Sequence, residues 1–311
     1  MKVLVTGATG LIGREVVDRL RGAGYDMRIV SRKPERLSAS DAIRLPEADA
    51  PNGAFLDLMR DVTHVVHCAA LNNDRTAGEA DYHTANATLT GRLAEAAAGR
   101  ASGRFIYLSS IRAVAGPGFS GTIDEATPPA PQCAYGRSKQ AGEMKMLEAY
   151  AAEARADATA LRLPPVYGAG MKGNMAALMR LADSALPLPT GALTGARSLI
   201  SSEAAASAVL HLLMQAGPPR PAYVAGDACP VAMSGIIAAF RQGFGRPQRL
   251  FPMPAAPLGL AAALVGKDAA WEALTATQIC DPSLLASEGW KAQSDTLDRL
   301  RELARQAGQA R

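Results

Sequence analysis

The stretch VTGATGLIGRE, residues 5–15, decides the fold because it places three glycines between an apolar run and a predicted helix. Gly7, Gly10 and Gly13 follow the segment KVLVT (residues 2–6), which is typical of a buried strand. Such a stretch is either an ordinary strand-to-helix turn or a loop whose free backbone N–H groups bind a phosphate. The glycine triplet by itself is compatible with both structures.

The composition predicts a globular protein with a large core. Of the 311 residues, 48% are hydrophobic and 20% are charged, and the net charge of +4 arises without any block of like charges. We therefore expect a mixed surface rather than a nucleic-acid-binding one. The cysteines at positions 68, 133, 229 and 280 form no C-x-x-C pair, so we expect no zinc or other metal site and a reduced, cytoplasmic protein. The apolar stretch 254–266 is too short to span a membrane and predicts a packed helix.

Strand-like and helix-like segments alternate through the first half of the chain. The predicted strands are 2–6, 27–31, 42–45, 63–69, 104–110 and 158–163, and the predicted helices are 11–22, 53–60, 79–99 and 134–155. Continuous apolar strands that alternate with helices predict an α/β fold with a parallel sheet covered on both faces.

The alternation ends near residue 164, where prolines become frequent and strand-like segments become short. We expect one domain over residues 1–164 and a smaller lobe over 165–311, with segments that may interleave. RSLIS (197–201), AYVAG (222–226) and RLFPM (249–253) predict short strands of this lobe. Leucines at 297, 300 and 303 predict an amphipathic helix over 295–306.

The context of the glycines favours a dinucleotide as the phosphate ligand. A strand precedes them, a helix follows, and the Gly-Lys-Ser/Thr ending of nucleoside-triphosphate-hydrolysing loops is missing. The second strand ends in Ser31, Arg32 and Lys33, with no carboxylate to bind the ribose hydroxyls of NAD. These residues favour NADP(H), with Arg32 as the main contact of the 2′-phosphate and Lys33 as the second. The alternative is that both are ordinary surface cations and that NAD(H) binds through Ser31.

Tyr135 and Lys139 predict the chemical centre. Residues four apart share one face of a helix, so the ammonium would favour ionisation of the phenol, whose ordinary pKa is about 10. A phenol tuned in this way exchanges protons with a hydroxyl or carbonyl. Ser110 ends the fifth predicted strand, where ligands of open α/β sheets bind. The alternatives are surface packing for the Tyr–Lys pair and a capping role for Ser110.

Together these motifs resemble the extended short-chain dehydrogenase/reductase family, and within it the NAD(P)-dependent nucleotide-sugar epimerases and dehydratases. The resemblance rests on TGATGLIG (6–13), VVHCAA (65–70), Asn86 with Thr90, LSS (108–110) and Tyr135-x-x-x-Lys139. It implies a Rossmann-type doubly wound parallel sheet with a smaller C-terminal α/β substrate lobe. A homodimer through the alanine-rich helices near 84–98 and 134–154 is a further expectation.

The resemblance also implies roles for individual residues. Tyr135 would be the general acid/base, Lys139 would hold the nicotinamide ribose and lower the phenol pKa, and Ser110 would bind the reacting oxygen. The remaining implied contacts are Gly7, Gly10, Leu11, Ile12 and Gly13 around the pyrophosphate, Ala69 and Asn86 beside the cofactor, and Asn174 and Arg197 on the substrate diphosphate. Asn174 as a loop cap and Arg197 in a surface ion pair are the alternatives.

Two departures from the family pattern narrow the expected function. The resemblance implies that dehydratases of the family have a sequence similar to Thr-Asp-Glu where this chain has Ser110-Ile111-Arg112. Because this chain lacks the carboxylates that would eliminate water, 4,6-dehydration is disfavoured. Only Glu203 occurs in SSEAAASAV (201–209), where an aspartate-containing segment is usual. We expect a 4-keto reductase or 4-epimerase of a UDP-hexose. The alternatives are a reductase of a small lipophilic carbonyl and a dinucleotide-binding regulator without turnover.

Overall fold

The central feature of the computed structural model is a seven-stranded parallel sheet. The structure describes residues 1–37, 42–72, 76–254, 259, 263, 264, 266 and 268–309. The strands are β1 Lys2–Thr6, β2 Asp26–Ser31, β3 Ile43–Arg44, β4 His64–His67, β5 Phe105–Ser110, β6 Gly121–Ile123, β7 Ala158–Leu163, β8 Val166–Tyr167, β9 Ala196–Arg197, β10 Ile200–Ser201, β11 Ala222–Val224, β12 Val231–Ala232 and β13 Gln278–Cys280. The large sheet has the order β11-β7-β5-β4-β1-β2-β3.

Helices cover both faces of this sheet. The helices of the described residues are α1 Leu11–Gly22, α2 Asn52–Leu58, α3 Glu79–His83, α4 Leu89–Arg100, α5 Ala134–Ala152, α6 Gly173–Ala182, α7 Ser202–Met214, α8 Met233–Gly243, α9 Asp268–Thr275, α10 Ser283–Ser287 and α11 Thr296–Gln309. Of these, α6, α8 and α11 pack in a separate buried cluster of the second lobe. Side chains of β1 alternate between the faces, since Val3 and Val5 join one buried cluster and Leu4 the other. The predicted doubly wound α/β fold is confirmed.

The order of the strands places a switch point at the end of β1. The strands β2 and β3 lie on one side of β1, while β4, β5, β7 and β11 lie on the other. Connections therefore leave the carboxyl ends of β1 and β4 in opposite directions and open a crevice between them. Ligands of doubly wound sheets bind in such a crevice, and Gly7 follows β1 at this point.

A smaller sheet of order β12-β9-β13-β6 stands beside the large one. The two proposed domains exchange segments, because β6 comes from the first 164 residues and pairs with β13. In the opposite direction, β11 pairs with β7 and completes the large sheet. The assignment of 222–226 to the second lobe is therefore wrong, because Tyr223 and Val224 are buried at the edge of the first.

Other predicted elements differ in detail. The segment 249–253 forms no strand, only a bridge between Leu188 and Leu250, and 197–201 divides into β9 and β10. The single helix predicted over 79–99 is interrupted by a π turn at Thr84–Thr88. The predicted C-terminal helix is confirmed as α11, which packs on α8.

Two predictions concern the segment 254–266 and the membrane. Most of the helix predicted over 254–266 lies outside the described residues. Among the helices that are described, none is long and apolar enough to cross a membrane.

Candidate functional site

The glycine turn packs tightly against the end of β4. Gly7 has a φ of +69°, and its carbonyl accepts a hydrogen bond from Gly10 N at 2.9 Å. A Cβ on Gly7 would lie 2.6 Å from Ala69 N, and one on Gly13 would lie 2.1 Å from Gly7 O. A side chain at either position would clash with backbone atoms, because the turn, the start of α1 and the end of β4 approach one another closely here. The structure thus explains why glycine is required at positions 7 and 13, and it places Ala69 beside the turn.

The amino end of α1 provides the donors of this turn. Gly10 caps α1 without a side-chain hydrogen bond and is exposed, and the first turn holds no acidic residue. Leu11 and Ile12 point their side chains into two buried clusters, so their contribution to a ligand is the backbone N–H groups. A helix N-terminus of this kind attracts an anion. The cradle therefore fits the pyrophosphate of a dinucleotide.

Replacing Gly7 by alanine is expected to lower the free energy of unfolding by about 1–3 kcal/mol, because alanine is strained at positive φ. Its Cβ would also displace the backbone at Ala69. Equilibrium unfolding and dinucleotide titration measure the two effects. Gly22→Ala is the control, since a Cβ there meets nothing within 4 Å. Equal stability and equal cofactor affinity of the two variants would contradict the tight-turn interpretation.

The end of β2 lies next to this turn, because β1 and β2 pair in parallel from Lys2 with Asp26 to Thr6 with Val30. Arg32 and Lys33 are exposed there, as a contact with an adenosine phosphate requires. Ser31 is buried, and its hydroxyl accepts a hydrogen bond from Lys33 N at 3.1 Å. The two cations are therefore the accessible groups at this end of the strand.

Ser110 and Tyr135 meet at the carboxyl end of β5. Their hydroxyl groups share a hydrogen bond, and Ser110 Oγ also accepts one from Arg112 N at 3.2 Å. The capping role of Ser110 is therefore present together with a contact to Tyr135, and binding of the reacting oxygen by Ser110 stays a prediction. Burial raises the pKa of Tyr135 to about 12, although the bond to Ser110 acts in the opposite direction. The phenol is protonated at neutral pH in this arrangement.

Lys139 is fully buried one helical turn after Tyr135. Its Nζ donates to Leu108 O at 2.6 Å and lies 4.1 Å from the centroid of the Tyr107 ring. Burial lowers the pKa of Lys139 to about 7, while the Glu143 carboxylate raises it. Burial is the dominant influence on the pKa of Tyr135, and a lowering of that pKa by Lys139 stays a prediction. The ribose contact of Lys139 stays a prediction.

The depressed pKa of Lys139 predicts a pH-dependent stability. The pKa is about 7 when folded and has its ordinary value of 10.5 when unfolded, so the unfolded chain binds more protons between these values. Stability is fully present above pH 10.5 and is lost towards pH 7, with a slope of up to about 1.4 kcal/mol per pH unit. We expect Lys139→Met to remove this slope in unfolding experiments, whereas the control Lys145→Met keeps it. If the free energy of unfolding depended on pH in the same way in the wild type and in Lys139→Met, the lowered pKa of Lys139 would be contradicted.

Asn86 ties the loop after β4 to the first turn of α5. It lies in the π turn Thr84–Thr88, a type of turn that is frequent at functional sites. Its Oδ1 accepts from Leu71 N at 2.7 Å, and its Nδ2 donates to Leu71 O and to Ser138 Oγ at 2.9 and 3.0 Å. Ser138 Oγ in turn donates to Tyr135 O at 2.8 Å. Asn86 therefore positions Tyr135, and its contact with a cofactor stays a prediction.

The two predicted substrate-binding residues, Asn174 and Arg197, differ in their exposure and in their hydrogen bonds. Asn174 is exposed in the first turn of α6, and no hydrogen bond between described residues links it to Ser110, Tyr135 or Arg197. Arg197 is half-buried on β9, where its Nη2 donates to Ala273 O at 2.5 Å. Burial and repulsion from Arg112 lower the pKa of Arg197 to about 10. Arg197 enters no ion pair in the described part of the chain, so it is not the surface ion pair of the alternative.

Sequence reasoning missed a buried ion pair below the site. Arg162 Nη2 lies 2.7 Å from Glu143 Oε2, and their side chains are only 9% and 5% exposed. Ser109 donates a further hydrogen bond to Glu143. One signal was available, since Glu143 follows Lys139 by four residues on the same helical face. No local signal pointed to Arg162, which lies on another strand.

The glycine turn at the switch point of a parallel sheet defines a Rossmann-type α/β protein. The chain belongs to the NAD dependent epimerase/dehydratase family, which matches residues 3–226, and it is an enzyme of that family. It is 29% identical to UDP-glucose 4-epimerase of Vibrio cholerae over 93% of this chain and 90% of the relative. It is 28% identical to dTDP-6-deoxy-L-talose 4-dehydrogenase (NAD(P)(+)) of Kitasatospora kifunensis, over 97% and 94%.

A solved structure confirms the fold over nearly the whole chain. UDP-glucuronic acid 4-epimerase from Bacillus cereus in complex with NAD matches with a TM-score of 0.75 and 19% identity. The match covers 99% of this chain and 100% of that one.

Proposed function

We propose that the chain catalyses hydride transfer at C4 of a nucleotide-linked hexose, as a 4-keto reductase or a 4-epimerase of UDP-sugars. The observation that carries the proposal is the hydrogen-bonded Ser110–Tyr135 pair at the carboxyl end of β5, in the sheet whose switch point holds the glycine turn. The names of the relatives support it, since both curated relatives act at position 4 of a nucleotide sugar.

The chain's own residues fit the proton part of this reaction. A bound NAD(P) supplies or accepts the hydride. Tyr135, which is protonated at neutral pH, donates a proton to the carbonyl oxygen of the sugar. Ser110 hydrogen-bonds to the same oxygen and stabilises the negative charge that develops on it. The protonated phenol is the starting state for reduction, and oxidation of the hydroxyl in the reverse direction returns the proton to Tyr135.

We propose NADP(H) as the preferred cofactor because Arg32 and Lys33 are exposed beside the glycine turn, with NAD(H) as the alternative. Arg32→Ala is then expected to lower kcat/KM for NADPH roughly 10–100-fold, the effect of losing a charge-assisted hydrogen bond. The value for NADH should change less than about 2-fold, since NADH has no 2′-phosphate. Initial rates with both cofactors measure the ratio, and Arg21→Ala on exposed α1 surface is the charge control. Equal losses with both cofactors would contradict the preference.

For the substrate lobe, we propose that Arg197 holds the nucleotide diphosphate and that Asn174 is its weaker partner. The half-buried guanidinium without an ion-pair partner in the described residues supports Arg197. We do not extend the proposal to 4,6-dehydration, because Arg112 stands where that elimination needs an acid. The homodimer and the cytoplasmic location stay predictions.

One incubation experiment tests the function and its direction. The protein is mixed with UDP-hexoses or 4-keto-UDP-hexoses, with and without NADPH, and products are identified by NMR. Stoichiometric oxidation of NADPH with a 4-keto sugar identifies a reductase, and interconversion of UDP-hexoses without net cofactor change identifies an epimerase. Turnover of lipophilic carbonyls alone, or cofactor binding without any turnover, would contradict the proposal.

A further inference from the structure

His67 lies buried at the carboxyl end of β4, next to the switch point of the large sheet. It is the register partner of Thr6 at the end of β1 and of Tyr107 on β5, so the three side chains form one row across the sheet. Its Nδ1 lies 2.6 Å from Thr6 Oγ1, and its Nε2 lies 3.1 Å from Thr90 Oγ1 on α4. Both ring nitrogens are therefore hydrogen-bonded inside the protein.

The directions of these hydrogen bonds follow from the hydrogens that each group has available. The Thr90 hydroxyl donates its single hydrogen to Asn86 O at 2.7 Å, so its oxygen accepts the hydrogen on Nε2 of His67. A neutral imidazole has one N–H, so Nδ1 accepts from the Thr6 hydroxyl. Thr6 Oγ1 in turn accepts from Ala69 N at 3.2 Å. We call this directed series of bonds, from Ala69 N through Thr6, His67 and Thr90 to Asn86 O, the histidine network.

The histidine network requires a neutral imidazole, because Nδ1 is an acceptor in it. Burial and the positive charge of Lys139 lower the pKa of His67 to about 3, so the ring is uncharged at neutral pH. Lys139 is close by, since its Nζ lies 4.1 Å from the centroid of the Tyr107 ring, on which His67 stacks at 5.5 Å. A charged side chain at position 67 would repel Lys139, and an apolar one would leave two buried hydroxyl groups without this partner.

The two ends of the histidine network reach two different parts of the candidate site. At one end, Ala69 N lies against the glycine turn, where a Cβ on Gly7 would come within 2.6 Å of it. At the other end, Asn86 Nδ2 donates to Ser138 Oγ at 3.0 Å, and Ser138 Oγ donates to Tyr135 O at 2.8 Å. The network therefore connects the backbone beside the dinucleotide cradle with the turn of α5 that carries Tyr135.

We propose that His67 is a positioning residue of the site, which aligns Tyr135 with the dinucleotide by fixing Asn86 relative to the glycine turn. The inference rests on the proposed function, because hydride and proton transfer to one sugar carbonyl need the cofactor and the phenol in a fixed relation. His67 acts on Tyr135 through Thr90 and Asn86. Loss of either hydrogen bond of the imidazole should therefore loosen the alignment without removing a reacting group.

Two substitutions in the full chain break the histidine network. Thr90→Val removes the hydroxyl and keeps the shape of the side chain, while His67→Phe removes both ring nitrogens and keeps a ring that packs on Tyr107. Each is expected to lower kcat for conversion of the UDP-sugar about 10–100-fold, the effect of a small misplacement of the reacting groups. The Kd of NADP⁺ should change less than about 3-fold, because the cradle itself is intact.

Further variants separate positioning from a general loosening of the fold. Thr90→Ser keeps the hydroxyl and should retain most of kcat. The double variant of Thr90→Val and His67→Phe should lose no more than either single variant, because both substitutions break the same link. Val209→Ala, in the buried core on α7 and outside the network, should lower the midpoint of unfolding without changing kcat.

Hydrogen exchange of the Leu71 amide tests the position of Asn86 without turnover, because Leu71 N donates to Asn86 Oδ1 at 2.7 Å. Thr90→Val should speed this exchange about 10-fold in the NADP⁺ complex. Faster exchange without conversion of any UDP-sugar supports the positioning of Asn86 and rejects the proposed function.

Conversion at C4 with unchanged kcat in Thr90→Val and His67→Phe keeps the proposed function and rejects the inference. Unchanged exchange of the Leu71 amide, additive losses in the double variant, or an equal fall of kcat in Val209→Ala would overturn the inference as well. Failure of both network variants to fold would show that the histidine network is structural, and would overturn it too.

Discussion

Replacing Tyr135 by phenylalanine is expected to lower kcat by roughly 10²–10⁴-fold, the usual contribution of a positioned general acid or base. Phenylalanine keeps the ring that packs edge-on against Tyr82, with centroids 6.2 Å apart. It removes only the hydroxyl that bonds to Ser110. The expected result is therefore a loss of turnover with the thermal transition and the dinucleotide affinity nearly unchanged.

Steady-state kinetics, thermal unfolding and dinucleotide titration measure these three quantities. Tyr25→Phe is the matched control, because Tyr25 packs against the core beyond the site. It should keep wild-type kinetics. Full turnover of Tyr135→Phe would show that another group transfers the proton. A collapse of folding in that variant would show instead that the hydroxyl is structural.

Replacing Glu143 by glutamine is expected to lower the free energy of unfolding by about 3–5 kcal/mol, because it leaves the buried Arg162 charge uncompensated. Glutamine keeps the shape of the side chain but not the charge that Arg162 meets at 2.7 Å. The hydrogen bond from Ser109 also loses its charged acceptor. The loss should exceed that of any surface ion pair of the chain, since such pairs contribute about 0–1 kcal/mol.

Denaturant unfolding of a double-mutant cycle measures this coupling. Glu143→Gln with Arg162→Met should recover much of the loss, since removing both charges leaves neither one buried alone. Glu148→Gln, an exposed change on the same helix, should alter stability by less than about 0.5 kcal/mol. Additive effects of the two core changes would contradict the proposed pairing.

The sequence predicted those elements whose pattern is local. The strand β7 and the helix α1 have the predicted bounds, because continuous apolar runs and helical spacing are properties of the segment itself. The strand β11 was assigned to the wrong lobe, because its three residues become a strand only by pairing with β7 at the sheet edge. The π turn at Asn86 depends on hydrogen bonds to Leu71 and Ser138, which are distant in sequence.

In the site, too, features set by local sequence were predictable, and features set by residues distant in sequence were not. The meeting of Ser110 with Tyr135 was predictable, since a residue at the end of a parallel strand and one at the start of the next helix share an edge. The direction of the Tyr135 pKa was not, because burial depends on the whole fold. The pairing of Glu143 with Arg162 was not predictable either, because the arginine reaches it from a strand that gives no local signal.

The fate of the hydrogen on C4 is the most direct test of the central claim. UDP-hexoses and UDP-hexuronic acids deuterated at C4 are incubated with the protein and NAD(P)⁺, and deuterium is located by NMR. The proposed function predicts that deuterium moves to the nicotinamide or stays on C4 with inverted configuration. C4 that keeps both its deuterium and its configuration in every sugar tested would contradict the proposed function.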